Sequence, residues 1–143
     1  MDNRTELHET SRYRCLDYYE RQTNSLYLTR CGVEKCVAGN EIHYLPGREC
    51  FHLHVILSGK GCITTGGRTH HLHFGQMFLT RPEEEITYGP DQEDPWTYCW
   101  MSFDGENALN YVESAGFKPG VCWQDCYVDH QEFNTLVQRV LSR

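Results

Sequence analysis

The chain has 143 residues, and 13 Lys or Arg against 20 Asp or Glu give it a formal net charge of -7. This length fits one domain, and the acidic balance argues against nucleic-acid binding by this chain alone, because such domains carry a basic surface. The longest apolar run has four residues, 98–101, which excludes a membrane helix of about 20 residues. The polar start is unlike a signal peptide. We therefore expect a cytoplasmic protein whose eight cysteines are buried or half-buried free thiols.

Residues 1–23 are polar and aromatic without a clean period, and they predict an N-terminal arm. From 24 to 104, short β-branched and aromatic runs alternate with Gly and Pro, a pattern typical of an all-β sandwich or barrel. The expected strands are 25–32, 49–61, 76–82, 84–90 and 96–103, with a hairpin over 62–72 that turns at Gly66 and Gly67.

The hydrophobic period then becomes helical. Residues 105–116 predict one helix, with Gly116 as its stop, and residues 130–143 predict a second. The second helix has one apolar face, made by Phe133, Leu136, Val137, Val140 and Leu141. Because it reaches the last residue without a stop signal, we expect a chain that is truncated or that continues in a longer parent. The pattern divides the chain into an arm (1–23), a β-barrel (24–104) and a helical dimerisation or linker segment (105–143).

Alternate residues of the strand around position 54 face opposite sides. One face is wholly apolar, with Phe51, Leu53, Val55 and Leu57, and it should pack against another element. The other face carries Arg48, His52 and His54. If the sheet curls, this face converges with aromatic residues of other strands on a concave site for a small polar ligand. An ordinary solvent-facing surface is the alternative.

Five segments in register resemble one family. They are CGVEKC (31–36), GRECFHLHVILSGKG (47–61), GGRTHHLHFGQMFLTRPEEEITYG (66–89), DQEDPWTYCWMSFDG (91–105) and YVESAGF (111–117). Together they resemble the N-terminal, effector-sensing domain of AraC/XylS-type transcription regulators, over roughly residues 26–141. The resemblance implies a mainly β, cupin-like double-stranded β-helix (a jelly-roll barrel) followed by two α-helices.

The resemblance also implies a function, which is to bind a small effector, often a sugar, inside the barrel. The aligned positions are Tyr88, Tyr98 and Trp100, with Trp100 stacking on the sugar ring. Together with Arg48, His52 and His54 on the polar face of the central strand, they make up the expected ligand-binding residues. The implied partners are this effector and a second copy of the chain, bound through the C-terminal helix. DNA would be bound only through a helix-turn-helix region that this chain lacks. No cofactor, catalytic residue or membrane contact is expected.

Two alternatives stay open from the sequence. His52 and His54 at strand positions i and i+2 can share a metal ion, which would indicate a metal-dependent cupin enzyme. Such a site needs a further Glu and a later His, and neither register of the motif supplies both. The other alternative is a dimerisation module whose barrel is filled by its own side chains and binds no ligand.

Overall fold

Two antiparallel β-sheets form the body of the molecule, and two helices pack on the outside of the larger sheet. The computed structural model describes residues 5–18, 26–44, 46, 50–126 and 130–142. The elements are β1 (Thr5–Glu9), β2 (Tyr13–Tyr18), β3 (Tyr27–Lys35), β4 (Ile42–Tyr44), β5 (Phe51–Ser58), β6 (Lys60–Thr65), β7 (Arg68–His73), β8 (Gln76–Thr80), β9 (Ile86–Pro90), β10 (Thr97–Asp104), α1 (Ala108–Ser114), β11 (Trp123–Asp125) and α2 (His130–Leu141).

The larger sheet has seven strands in the order β1-β2-β3-β10-β5-β8-β11, and the smaller has four in the order β4-β9-β6-β7. Strands that follow each other in the chain often lie in different sheets, so the chain crosses repeatedly between the sheets, as in a jelly-roll barrel. This arrangement confirms the mainly β barrel followed by two helices. Gly66 and Gly67 both have positive φ, 58° and 76°, and they form the predicted two-residue turn between β6 and β7.

The structure adds strands that the sequence pattern did not predict. In the segment expected to be an arm, β1 and β2 form a hairpin that joins the larger sheet through β3. β4 pairs with β9. β11, which lies between α1 and α2 in the sequence, pairs with β8. The domain boundaries at 23/24 and 104/105 stay a prediction.

The alternation predicted for β5 is present. His54 and Ile56 point into the barrel and are 3% and 0% exposed, among a cluster of aromatic side chains. On the opposite face, Val55 packs under α2 and Phe51 packs against α1. The helices therefore pack on the outside of the sheet, while the inside faces a separate cavity.

The apolar face of α2 is occupied by the chain's own sheet. Val137 and Leu141 are 0% and 2% exposed against Val55 and its neighbours, and Phe133 and Val140 are half-buried in the same cluster. This corrects the expectation for Val137 and Leu141, which need no partner helix to cover them, because α2 contacts β2, β3, β5 and β10. Leu136, in contrast, is 46% exposed.

All eight cysteines lie within the described residues as free thiols, five buried and three half-buried, as predicted. Burial raises the pKa of Cys36 and of Cys99 to about 12, so both thiols are protonated at neutral pH and pack as small apolar groups. Among the described residues, neither helix is long and apolar enough to cross a membrane.

Candidate functional site

The inner face of the seven-stranded sheet carries the candidate site, and its side chains form three rows across the strands. Residues paired directly in antiparallel strands point to the same face, and successive rows lie about 7 Å apart along the strands. We name each row by one member. They are the Glu34 row (Tyr13, Glu34, Tyr98 and Ile56), the Trp100 row (Cys15, Gly32, Trp100, His54 and Phe78) and the His52 row (Asp17, Arg30, Ser102, His52 and Thr80).

Gly32 makes room for the indole of Trp100 in the middle row. A Cβ atom at position 32 would lie 2.5 Å from the Trp100 ring and 2.4 Å from the backbone oxygen of Arg14, which is too close for any side chain. The ring of Tyr13 lies 5.7 Å from that of Trp100, and the ring of Tyr98 lies 5.9 Å away. Trp100 is thus held between tyrosines, with one part of its surface on the cavity.

The rows and the smaller sheet together enclose a cavity of about 370 Å³, including its open mouth. Five of the predicted ligand-binding residues line it: His52, His54, Tyr88, Tyr98 and Trp100. Arg48, the sixth, lies outside the described residues. The structure therefore brings together every predicted ligand-binding residue that it describes.

The cavity also contains residues that the sequence reasoning missed: Tyr13, Arg30, Glu34, Ile42 and Tyr44. Arg30, Gly32 and Glu34 alternate along β3 with the apolar outward residues Cys31 and Val33. This period of two could have marked an inward polar face on β3. Tyr13 and Tyr44 lie on strands that the sequence pattern did not predict, so only the fold reveals them.

The two histidines have different surroundings. His54 is stacked on Phe78 with ring centres 4.3 Å apart, and its Nε2 is 3.3 Å from the hydroxyl of Tyr88. His52 forms a hydrogen bond through Nδ1 with the hydroxyl of Ser102. Its Nε2 is 3.6 Å from Sγ of Cys50, and its ring stacks on the ring of Tyr44. Each imidazole is oriented by neighbouring side chains, which is the arrangement a site needs to present fixed hydrogen-bonding atoms.

The part of the chain that the structure describes contains no complete set of ligands for the metal ion of a cupin enzyme. No group of three or more His, Cys, Asp or Glu side chains comes together there in a way that could hold a metal ion. The ring centres of His52 and His54 are 6.5 Å apart. The missing Glu and later His noted in the sequence have no substitute among these residues.

Opposite charges lie at the two ends of the cavity. At one end, the Tyr98 hydroxyl donates a hydrogen bond to Oε1 of Glu34 over 3.2 Å. Burial raises the pKa of Glu34, although the Tyr98 hydrogen bond and the Arg12 charge act in the other direction. At the other end, Nε of Arg30 donates to Oδ1 of Asp17 over 2.5 Å. The cavity thus combines aromatic faces with a carboxylate, a paired guanidinium and two imidazoles, groups that suit a small ring bearing several polar substituents.

The fold defines the chain as a barrel of the cupin type with a cavity on its inner face. Residues 30–143 match the family described as the AraC-like ligand-binding domain. The match covers well over half of the chain, and the chain belongs to that family.

Two curated relatives have related sequences. The chain is 31% identical over 94 residues to the lactose operon transcription activator of Staphylococcus xylosus, which covers 66% of this chain and 33% of that protein. It is 36% identical over 95 residues to the Msm operon regulatory protein of Streptococcus mutans serotype c, covering 64% of this chain and 33% of that protein. The matched region is about a third of the length of each relative.

Two solved structures show the same fold. The cupin domain of Cnp3 from Schizosaccharomyces pombe has a TM-score of 0.51 at 16% identity, over 80% of this chain and 79% of that one. The plu4264 protein from Photorhabdus luminescens has a TM-score of 0.50 at 12% identity, over 77% of this chain and 90% of that one. At this identity the likeness concerns the fold alone, and it confirms the cupin-like barrel.

Proposed function

We propose that this chain is the effector-sensing domain of a transcription regulator and that it binds a sugar, or a similar small polar metabolite, in the cavity of the barrel. The observation that carries the proposal is the convergence of Trp100, Tyr98, Tyr88 and the two imidazoles on one enclosed space. Aromatic faces pack on the C–H surface of a sugar ring, while imidazole, hydroxyl and carboxylate groups bond to its hydroxyls.

The regulatory part of the proposal is supported by the relatives. Both are named as regulators of operons, one of them the lactose operon, and this chain matches about a third of each. Transcription control by a protein of this kind requires DNA contacts, which we assign to a helix-turn-helix region outside this sequence. The net charge of -7 agrees with that division. The domain itself senses and does not catalyse.

A thermal-shift screen of the chain against neutral mono- and disaccharides tests the proposal. A ligand present at 100 times its dissociation constant should stabilise the protein by about 2.7 kcal/mol, which raises Tm by several degrees. Binding by none of these sugars contradicts a sugar effector. A screen of other small metabolites then asks whether the cavity binds any ligand, since a barrel that binds none is a filled module.

Trp100→Ala sharpens that test, because it removes the aromatic platform at the middle of the cavity. We expect affinity for a sugar found in the screen to fall by at least about 1 kcal/mol, roughly fivefold or more, measured by calorimetry. Trp123, half-buried on β11 and not among the cavity-lining residues, provides the control, since Trp123→Ala should leave affinity unchanged. Unchanged affinity of Trp100→Ala would remove this residue from the site.

The second part of the proposal is self-association of the chain. The surface that we propose for it is one flank of α2, which is narrower than the whole apolar face that the sequence indicated. Phe133, Leu136 and Val140 recur at helical spacing along one flank of α2, where Leu136 is exposed and the other two are half-buried. We propose that this flank contacts a second copy. Sedimentation should show dimers of the wild type at high micromolar concentration and monomers of Leu136→Glu, and a monomeric wild type would contradict it.

A further inference from the structure

Glu34 and Arg30 face the same cavity from the same strand, four residues apart, which places their Cα atoms roughly 13 Å apart. Their charges differ in how they are neutralised. Nε of Arg30 lies 2.5 Å from Oδ1 of Asp17, whose side chain is 14% exposed. The same Nε is also 3.1 Å from Sγ of Cys15. The positive end of the cavity is therefore occupied by an internal ion pair.

The negative end is different. Glu34 receives one hydrogen bond from within the site, from the hydroxyl of Tyr98. The cation that lowers the pKa of Glu34 is Arg12, an exposed residue that is not among those lining the cavity. A carboxylate has about four lone-pair positions, so Glu34 keeps acceptor capacity on the cavity side, between the rings of Tyr13 and Tyr98. Burial raises the pKa of Glu34, and a ligand that donates hydrogen bonds to this carboxylate would favour its charged form.

We propose that Glu34 determines the specificity of the site, by accepting hydrogen bonds from hydroxyls of an uncharged ring and by excluding the matching sugar acids and sugar phosphates. The inference rests on the proposed function and names the ligand class within it. An anion in the cavity meets the Glu34 carboxylate in a partly buried setting, where like charges repel more strongly than in water. Arg30 does not compensate, because Asp17 already neutralises it.

Asp17 acts in this scheme as a positioning residue. It contributes no atom to the lining of the cavity but holds the Arg30 side chain that does. Removing its charge while keeping its shape, as in Asp17→Asn, leaves the guanidinium available to an anionic ligand. A merely structural role for Asp17 would lower the affinity for all ligands equally and would not change their order.

Calorimetric titration with matched pairs tests the inference at a single ionic strength. Glucose with glucuronate, and galactose with galacturonate, differ only in the group at C6. For the wild type we expect the neutral member of at least one pair to bind at least tenfold more tightly than its acid. Glu34→Gln should reduce that ratio to less than threefold, and Asp17→Asn should raise the affinity for the acid at least threefold.

Two variants with the same change in net charge serve as controls. Glu85→Gln removes an exposed carboxylate that pairs with His43, and Glu9→Gln removes one that pairs with Arg14 on the β1–β2 hairpin. Both should keep the wild-type ratio. Equal or tighter binding of the acids by the wild type, or an unchanged ratio in Glu34→Gln, overturns the role of Glu34 while leaving the sensing function intact. No binding of any of the four sugars or of other sugars in the screen contradicts the proposed sugar sensing itself.

Discussion

On β5, neighbouring residues serve two different environments. His52 and His54 face the cavity among hydroxyl and aromatic groups, while Leu53 and Val55 face the helices in aliphatic surroundings. The same division holds along β10, where Trp100 lines the cavity and Cys99 is fully buried under α2. Because side chains alternate along a strand, each strand contributes separately to recognition on one face and to packing on the other.

The two faces should therefore respond differently to substitution. The outer face is stabilised mainly by burial of apolar area, at about 25 cal/mol per Å², and its apolar clusters lie outside the cavity. The inner face contains buried polar groups, which are costly to bury unless they are paired. This comparison predicts stability losses without affinity losses on the outer face, and the reverse for selected inner residues.

The largest effect is expected for Leu79→Ala on the outer face. Leu79 is 1% exposed and packs with Val112 and Phe117. The cavity left by this truncation should lower the free energy of unfolding by about 3 kcal/mol, measured by urea denaturation. Leu109→Ala is the matched control, because Leu109 is 47% exposed and should cost less than about 0.5 kcal/mol. Sugar affinity of the folded Leu79 variant should stay unchanged, and a parallel loss would break the separation of the faces.

Gly32→Ala should give the next largest effect, and on the inner face. The added Cβ collides with the Trp100 ring and with the backbone of β2, so we expect a loss of about 1–3 kcal/mol in stability and of at least tenfold in sugar affinity. The loss of stability is measured by urea denaturation followed by the near-UV circular dichroism of the displaced indole. The loss of sugar affinity is measured by calorimetry. Val33→Ala, one residue along on the outer face, should lower stability only. Normal affinity of Gly32→Ala would show that Trp100 does not need this position.

Much of the fold follows from local signals in the sequence. The glycine pair at 66 and 67 can adopt positive φ without strain, and it marked the β6–β7 turn. The period-two alternation on β5 gave its two faces, and the helical period after residue 104 gave α1 and α2. These features depend on residues close together in the chain, so the pattern alone contained them.

What the sequence did not reveal depends on contacts between distant segments. The β1–β2 hairpin becomes part of the larger sheet only by pairing with β3, and Tyr13 reaches the cavity only through that pairing. The apolar face of α2 resembled a dimer surface because its own sheet, contributed by four strands, was not visible as its partner. Glu34 was missed as a site residue because its importance arises from Tyr98, which lies 64 positions away.

The smallest effect expected is a gain, from Glu34→Gln in the absence of ligand. Because the pKa of Glu34 is raised in the folded protein above its ordinary value of 4.5, the folded state binds this proton more tightly than the unfolded state. The stabilisation from protonated Glu34 is therefore fully present below pH 4.5, and it is lost as the pH rises through the folded-state pKa of Glu34. At neutral pH the charged Glu34 lowers stability, and the uncharged glutamine should raise the free energy of unfolding by no more than about 1 kcal/mol.

The pH dependence distinguishes this cause from a general improvement in packing. The advantage of Glu34→Gln should be smallest at pH 4 and should grow to a plateau at neutral pH, in urea denaturation followed at several pH values. Glu85→Gln, which removes an exposed carboxylate, is the control with the same change in net charge. A wild type more stable than Glu34→Gln at neutral pH would mean that the Tyr98 hydrogen bond and Arg12 outweigh burial. If the gain is observed together with weaker sugar binding, the inner face retains a carboxylate that lowers stability because recognition requires it.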